Sequence, residues 1–319
     1  MRLDTFVYTQ QGLSEAYSHL RPGGVMSMSF VLGSDLYLGK KIYYMLKNLP
    51  GASVPVSTSN GYITAFMIRK GSPVHLPPSF LAEYELSDMT NLYADAGADA
   101  ASLAIPSDDW PFFYMKSRAY PVNYATSLLL VLALSFLLVR KLLPTQRWNA
   151  SLLPFFFLGA GFMLVETKAI TELGLVFGNT WQVVGITIIG VLTMAFLANL
   201  WVSLRPALPL MAAFVCLLSV IVLGYWVATN GGLSYTSVAV KLEALILLTS
   251  PLFFSGIVFS TLLKNTSDIT GAMAYNLMGA MLGGLFEYNS LRFGFAFLYL
   301  IALVFYGLAW TSSRRLRTT

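Results

Sequence analysis

The sequence predicts a mainly α membrane protein: a polytopic bundle of about seven transmembrane helices preceded by a small α/β piece. Three observations predict it. Hydrophobic residues make up 56% of the 319 and charged residues only 11%, whereas a soluble domain carries about a quarter charged. From residue 119 onward, apolar runs long enough to cross a bilayer follow one another with short connections. The first 70 residues instead alternate between helical and extended patterns.

The formal charge of +5 first suggests nucleic acid. Many basic residues sit at the ends of apolar runs, however, as the positive-inside rule expects of a membrane protein, so no nucleic-acid partner is expected. The single cysteine, Cys216, lies in an apolar run, which excludes an internal disulfide and leaves the redox compartment open. The two histidines, His19 and His75, are far apart and there is no Cys/His cluster, so no metal site is expected. The opening string MRLDTFVYTQQGLSEAYSHLRPGG has no continuous apolar core before a small-residue cleavage site. It does not read as a signal peptide and starts as though inside a domain.

Taken in order, Thr9 to Leu20 reads as a helix with Thr9 as N-cap and Leu13, Ala16, Tyr17 and Leu20 on one face. Pro22-Gly23-Gly24 breaks it, and Val25 to Leu32 alternates like a strand. A second amphipathic segment, Asp35 to Leu49, carries Leu36, Ile42, Tyr43, Leu46 and Leu49. Ser53 to Thr58 and Tyr62 to Arg69, joined through Ser59-Asn60-Gly61, form a hairpin. Helix, strand, helix and hairpin fit the closing part of an open α/β sheet whose last strands turn antiparallel. Prolines at 77, 78, 106 and 111, following one at 73, and an alanine/aspartate stretch mark residues 76–118 as a linker between residues 1–75 and 119–319. The linker ends in PSDDWPFFY, Pro106 to Tyr114. Its aromatic residues, Trp110 among them, read as a belt at the headgroup level. A sharper reading gives Asp108 and Asp109 a cation or polyamine to bind.

Apolar segments follow near 121–139, 151–173, 180–203, 207–228, 239–263, 271–288 and 293–311. Each is about long enough for roughly 30 Å of hydrocarbon at about 1.5 Å per residue. The second carries Glu166, Lys168 and Glu172. Charged groups at that depth need a bundle interior and a partner. Lys168 and Glu172, four apart, meet on one helix face, whereas Glu166 projects elsewhere. The other intramembrane polar residues are Asn179, Gln182, Asn199, Glu243, Asn276 and Glu287. Gly279, Gly283 and Gly284 form a small-residue face that lets two helix backbones approach, holding the Glu-bearing ends of the second and sixth segments together. Two readings stand for the glutamates: ligands of a cation, polyamine or proton, or interhelical glue.

If all seven segments cross, Arg140, Lys141, Arg147, Arg205, Lys264, Arg314, Arg315 and Arg317 fall on one side. That side is expected to be cytoplasmic, with the C-terminus, and the N-terminal piece then lies opposite. One non-crossing segment, or earlier helices, would remove that conflict.

The string YTQQGLSEAYSHLRPGGVMSMSF resembles the late part of the Rossmann-like domain of spermidine synthases and related adenosyl-cofactor methyltransferases. PSDDWPFFY, GAGFMLVETKAITELGLVFGNTW and YNLMGAMLGGLFEY resemble the matching stretches of membrane-bound spermidine synthase-like proteins. Glu166, Gly178, Trp181, Asn199, Asn276, Gly283, Gly284 and Glu287 are the matching positions. The resemblance implies an incomplete Rossmann-like half-domain and a bacterial cytoplasmic membrane. It also implies a transferase whose S-adenosyl compound is bound by an upstream part; Asp4 does not match the catalytic aspartate. No cofactor is expected in this chain, and the chain alone is not expected to be catalytic. Two alternatives remain: a transporter-like bundle for an amine or other cationic solute, and a non-catalytic anchor or assembly subunit.

Overall fold

The computed structural model describes residues 5–32, 36–95, 103–142, 149–178, 181–204, 208–230 and 238–315. Asp4, Asn179, Arg147, Arg205, Arg317 and most of the alanine/aspartate stretch lie outside them. The chain divides into two compact units, residues 1–118 and 119–319.

In the first unit, α1 (Gln10–Ser18) starts as expected: Thr9 is extended and its hydroxyl accepts the Gly12 N–H at 3.1 Å. Leu13 and Tyr17 are buried, while Ala16, expected on the same face, is exposed. After β1 (Val25–Val31) comes α2 (Leu36–Lys47), then β2 (Val56–Ser59) and β3 (Ile63–Arg69). The hairpin turn is held by Asn60, whose Oδ1 accepts the Tyr62 and Ile63 N–H groups at 3.1 and 2.8 Å. Gly61 takes a φ of +86°, which this turn requires and a side chain resists.

The sheet order is β1-β3-β2-β4, and every neighbouring pair is antiparallel. Because β1 and β2 both oppose β3, they run in the same direction and α2 joins them as a crossover. Phe66 and Ile68 on the central strand β3 are fully buried against Ile42, Met45 and Leu46 of α2, with Leu13, Tyr17, Tyr93 and Phe113 completing the core. Leu36, expected on the buried stripe, is 42% exposed because it begins the helix beyond the core.

The described residues of the expected linker, 76–95 and 103–118, belong to this unit. They supply α3 (Pro78–Glu83), β4 (Ser87–Asp88) and α4 (Thr90–Ala94). β4 extends the sheet at β2, and Tyr93 and Phe113 enter the core.

The second unit is a mainly α membrane bundle. Its long helices are α5 (Val122–Leu142), α6 (Leu153–Phe177), α7 (Trp181–Leu204), α8 (Leu210–Thr229), α9 (Val238–Lys264), α10 (Ile269–Phe286) and α12 (Phe297–Arg315). The short α11 (Ser290–Phe293) precedes the last. Among the described residues six helices are long and apolar enough to cross a membrane, against the seven expected. The exception is α5, whose described apolar stretch ends at Ser135. Its Leu129, Leu130 and Leu134 are 67, 68 and 53% exposed.

Helix α6 is the most enclosed and packs against α10, α12, α9 and α7. In α9, Pro251 leaves the Leu247 carbonyl without its usual N–H donor, and the Ser250 hydroxyl supplies one at 2.7 Å.

Candidate functional site

The polar residues of α6 divide between two surroundings. Lys168 and Glu172 share one face, as their spacing predicts, with Nζ 2.8 Å from Oε1. Both are buried, at 4 and 8% exposure. The second oxygen of Glu172 accepts the Tyr299 hydroxyl of α12 at 2.9 Å, and the same tyrosine ring lies 5.6 Å from the Lys168 ammonium. Tyr299 is held from behind by α8, where Gly224 has no side chain: a Cβ there would stand 3.1 Å from the ring. One cation, one anion and one hydroxyl thus satisfy each other in a dry setting, which is the condition for tolerating buried charge.

The second setting is the α6–α10 seam. A Cβ on Gly159 would come within 2.0 Å of the Asn276 carbonyl oxygen, one on Gly279 within 1.8 Å of the Phe156 carbonyl oxygen, and one on Gly283 within 2.4 Å of the Ala160 carbonyl oxygen. The two backbones therefore touch, as a small-residue face permits. Gly284 faces open space and takes no part.

The close approach brings Glu287, in the turn after α10, to α6, where its Oε2 accepts the Thr167 hydroxyl at 3.3 Å. Glu166, one residue earlier, is half-buried, with no hydrogen bond or ion pair among the described residues. Asn276 lends its backbone to the seam. Asn199 is elsewhere, on the exposed side of α7, accepting the Ser260 hydroxyl of α9 at 2.5 Å. Glu243 is exposed at the start of α9. Glu166, Lys168, Glu172, Asn199, Asn276 and Glu287, read from the sequence as candidates for one polar intramembrane site, therefore do not form one cluster.

In the first unit, the Asp108–Asp109–Trp110 segment folds onto α1. Asp108 Oδ1 accepts the Thr9 hydroxyl at 2.6 Å, and the Gln10 N–H donates to the Pro106 carbonyl at 2.9 Å. Burial pushes the Asp108 carboxyl above its usual range, with Glu15 adding to the effect and the Thr9 hydrogen bond opposing it. Trp110 and Phe113 are 0 and 1% exposed, which corrects the headgroup-belt reading: these rings are interior packing.

Beneath them lies a residue that the sequence reading missed. Lys41 of α2 is fully buried, donating to the Phe113 and Met115 carbonyls at 3.0 and 2.6 Å, with the Tyr37 and Trp110 rings 5.7 and 6.0 Å away. Desolvation lowers its pKa from 10.5 to about 8. Its position on the stripe Leu38, Lys41, Ile42, Met45 was the available signal.

A hollow of about 200 Å³ in this unit is lined by Leu32, Ser59, Gly61, Thr64, Met89 and Tyr93, among others. Among the described residues its lining includes no carboxylate. Among the described residues there is no group of three or more His, Cys, Asp or Glu placed to hold a metal ion. No family model, no curated protein and no solved structure matches this chain.

Proposed function

We propose that this integral membrane protein is the C-terminal part of a spermidine synthase-like aminopropyltransferase or methyltransferase, and that it is not catalytic alone. The observation that carries the reading is the seat of α10 on α6: the two stretches that bear the resemblance, more than a hundred residues apart, meet backbone to backbone at Gly159, Gly279 and Gly283. Two features add support. The crossover from β1 through α2 to β2, with β3 returning antiparallel between them, is compatible with the closing edge of an open α/β sheet. If α5 does not cross, the positive-inside rule would give residues 1–118 and the basic connections the same compartment, where an adenosyl cofactor would be found.

The test is the reading frame upstream of Met1. A strand followed by a Gly-rich loop is expected there, and the longer protein should be stabilised thermally by S-adenosyl compounds while this chain is not. A longer protein carrying that loop yet indifferent to S-adenosyl compounds would overturn the reading.

One observation favours a second reading. Half-buried Glu166, with no hydrogen-bond or ion-pair partner among the described residues, suits a site for a cationic solute. Uptake of an amine into liposomes that is lost in Glu166→Gln would support it, and an anchor alone would show no uptake.

A further inference from the structure

Where α8 begins and α12 ends, at residues that also bound two candidate spans, a cavity of about 200 Å³ is lined by Leu210, Met211, Trp310, Ser313 and Arg314. Arg314 is exposed, and its guanidinium lies 4.6 Å over the Trp310 ring. Trp310 in turn stacks at 6.1 Å and 19° on Phe214, which is fully buried. The arginine is therefore the outer layer of a three-deck stack rooted in the bundle. Stacking fixes the guanidinium plane and leaves its N–H edge free to grip two oxygens at once. Among the described residues no carboxylate neutralises it. The floor is apolar, with Met211 57% exposed. A stacked guanidinium with no carboxylate partner among the described residues, beside an apolar hollow at the ends of two candidate spans, matches a ligand that is anionic at one end and greasy at the other.

We propose that this cavity binds an anionic phospholipid, with its phosphodiester on Arg314 and an acyl chain along Leu210 and Met211. The site is independent of the transferase reading, since it uses neither the α6–α10 seam nor the first unit.

The test is thermal stabilisation of the full chain in a neutral detergent by dioctanoyl phosphatidylglycerol, dioctanoyl phosphatidylcholine and inorganic phosphate. The phosphatidylglycerol should stabilise at concentrations well below those needed for the phosphatidylcholine, and inorganic phosphate should not reproduce the effect. Arg314→Gln should weaken the response to phosphatidylglycerol about tenfold or more, the scale of a lost charge-assisted hydrogen bond. Arg314→Lys keeps the charge without the planar fork and should fall between; it decides the matter if Arg314→Gln does not fold. The double variant Arg315→Gln/Arg317→Gln removes nearby charge only and should keep the preference. Three results would each overturn the proposal: a preference that survives Arg314→Gln (or, where that variant does not fold, is undiminished in Arg314→Lys), a preference abolished equally by the double variant, or full stabilisation by inorganic phosphate, which would mark a site for free anions.

Discussion

Replacing Gly279 by alanine adds one methyl group to a helix that prefers alanine, so propensity alone predicts a gain of up to about 1 kcal/mol. The seam predicts the reverse. The new Cβ would stand 1.8 Å from the Phe156 carbonyl oxygen, against at least 3.4 Å for ordinary contact. That oxygen belongs to the α6 backbone and cannot rotate away, so the helices must part by about 1.6 Å. Parting loosens the facing contacts at Gly159 and Gly283 and lengthens the Thr167–Glu287 hydrogen bond. Overpacking of this kind costs about 3 kcal/mol, which outweighs the propensity gain. Gly284→Ala is the internal control: nothing lies within 4 Å of its Cβ, so the same chemical change should be neutral or mildly stabilising. Unfolding of the purified chain in mixed micelles by added SDS, followed by tryptophan fluorescence, measures both variants. Equal midpoints for Gly279→Ala and Gly284→Ala would refute the reasoning.

Three further predictions concern groups held by named partners. Lys41→Met strands the Phe113 and Met115 carbonyls and should cost the N-terminal unit about 2–3 kcal/mol, read from urea unfolding by near-UV circular dichroism. Below about pH 8 the amine is charged in both the folded and the unfolded chain, and its burial cost is fully present. As pH rises from about 8 toward 10.5 the folded amine loses its proton while the unfolded one keeps it, so stability should rise, by at most about 3 kcal/mol. Lys41→Met should lack that rise, and parallel pH profiles of the two proteins would contradict the assignment. Glu172→Leu leaves Lys168 buried without its partner and should cost about 3–5 kcal/mol, whereas Lys168→Met/Glu172→Leu should recover most of it in the same SDS titration. Ser250→Ala removes the hydroxyl that serves the Leu247 carbonyl before Pro251 and should cost about 1 kcal/mol or more, visible as a lower melting temperature.

Local patterns were legible in the sequence wherever one physical rule decided the outcome. The i, i+4 spacing placed Lys168 against Glu172, the Thr9 cap opened α1, and Asn60-Gly61 turned the hairpin. The Gly279/Gly283 face was readable as a close approach, although the sequence could not say that Gly284, next in line, points away. What failed was what depends on contacts distant in the chain. Trp110 and Phe113 have the composition of a headgroup belt, and only the seating of residues 106–115 on α1 and α2 makes them interior. Tyr299 lies 127 residues from Glu172, and no periodicity announces that it completes the buried ion pair. Shared membrane depth does not imply proximity: Asn199 pairs with Ser260 and Glu287 with Thr167.

The pairing of Lys168 with Glu172 inside a single helix also bears on how the protein is made. Tyr299 is synthesised long after α6 has left the ribosome, so it cannot shelter these groups during insertion. Each ion alone at the centre of a segment opposes partition into lipid by about 2.5–3.5 kcal/mol. Because cation and anion are one turn apart, they can enter already joined, as a dipole and not as two charges. Helix α6 can then wait in the bilayer until the last segment arrives and its phenol closes the remaining oxygen.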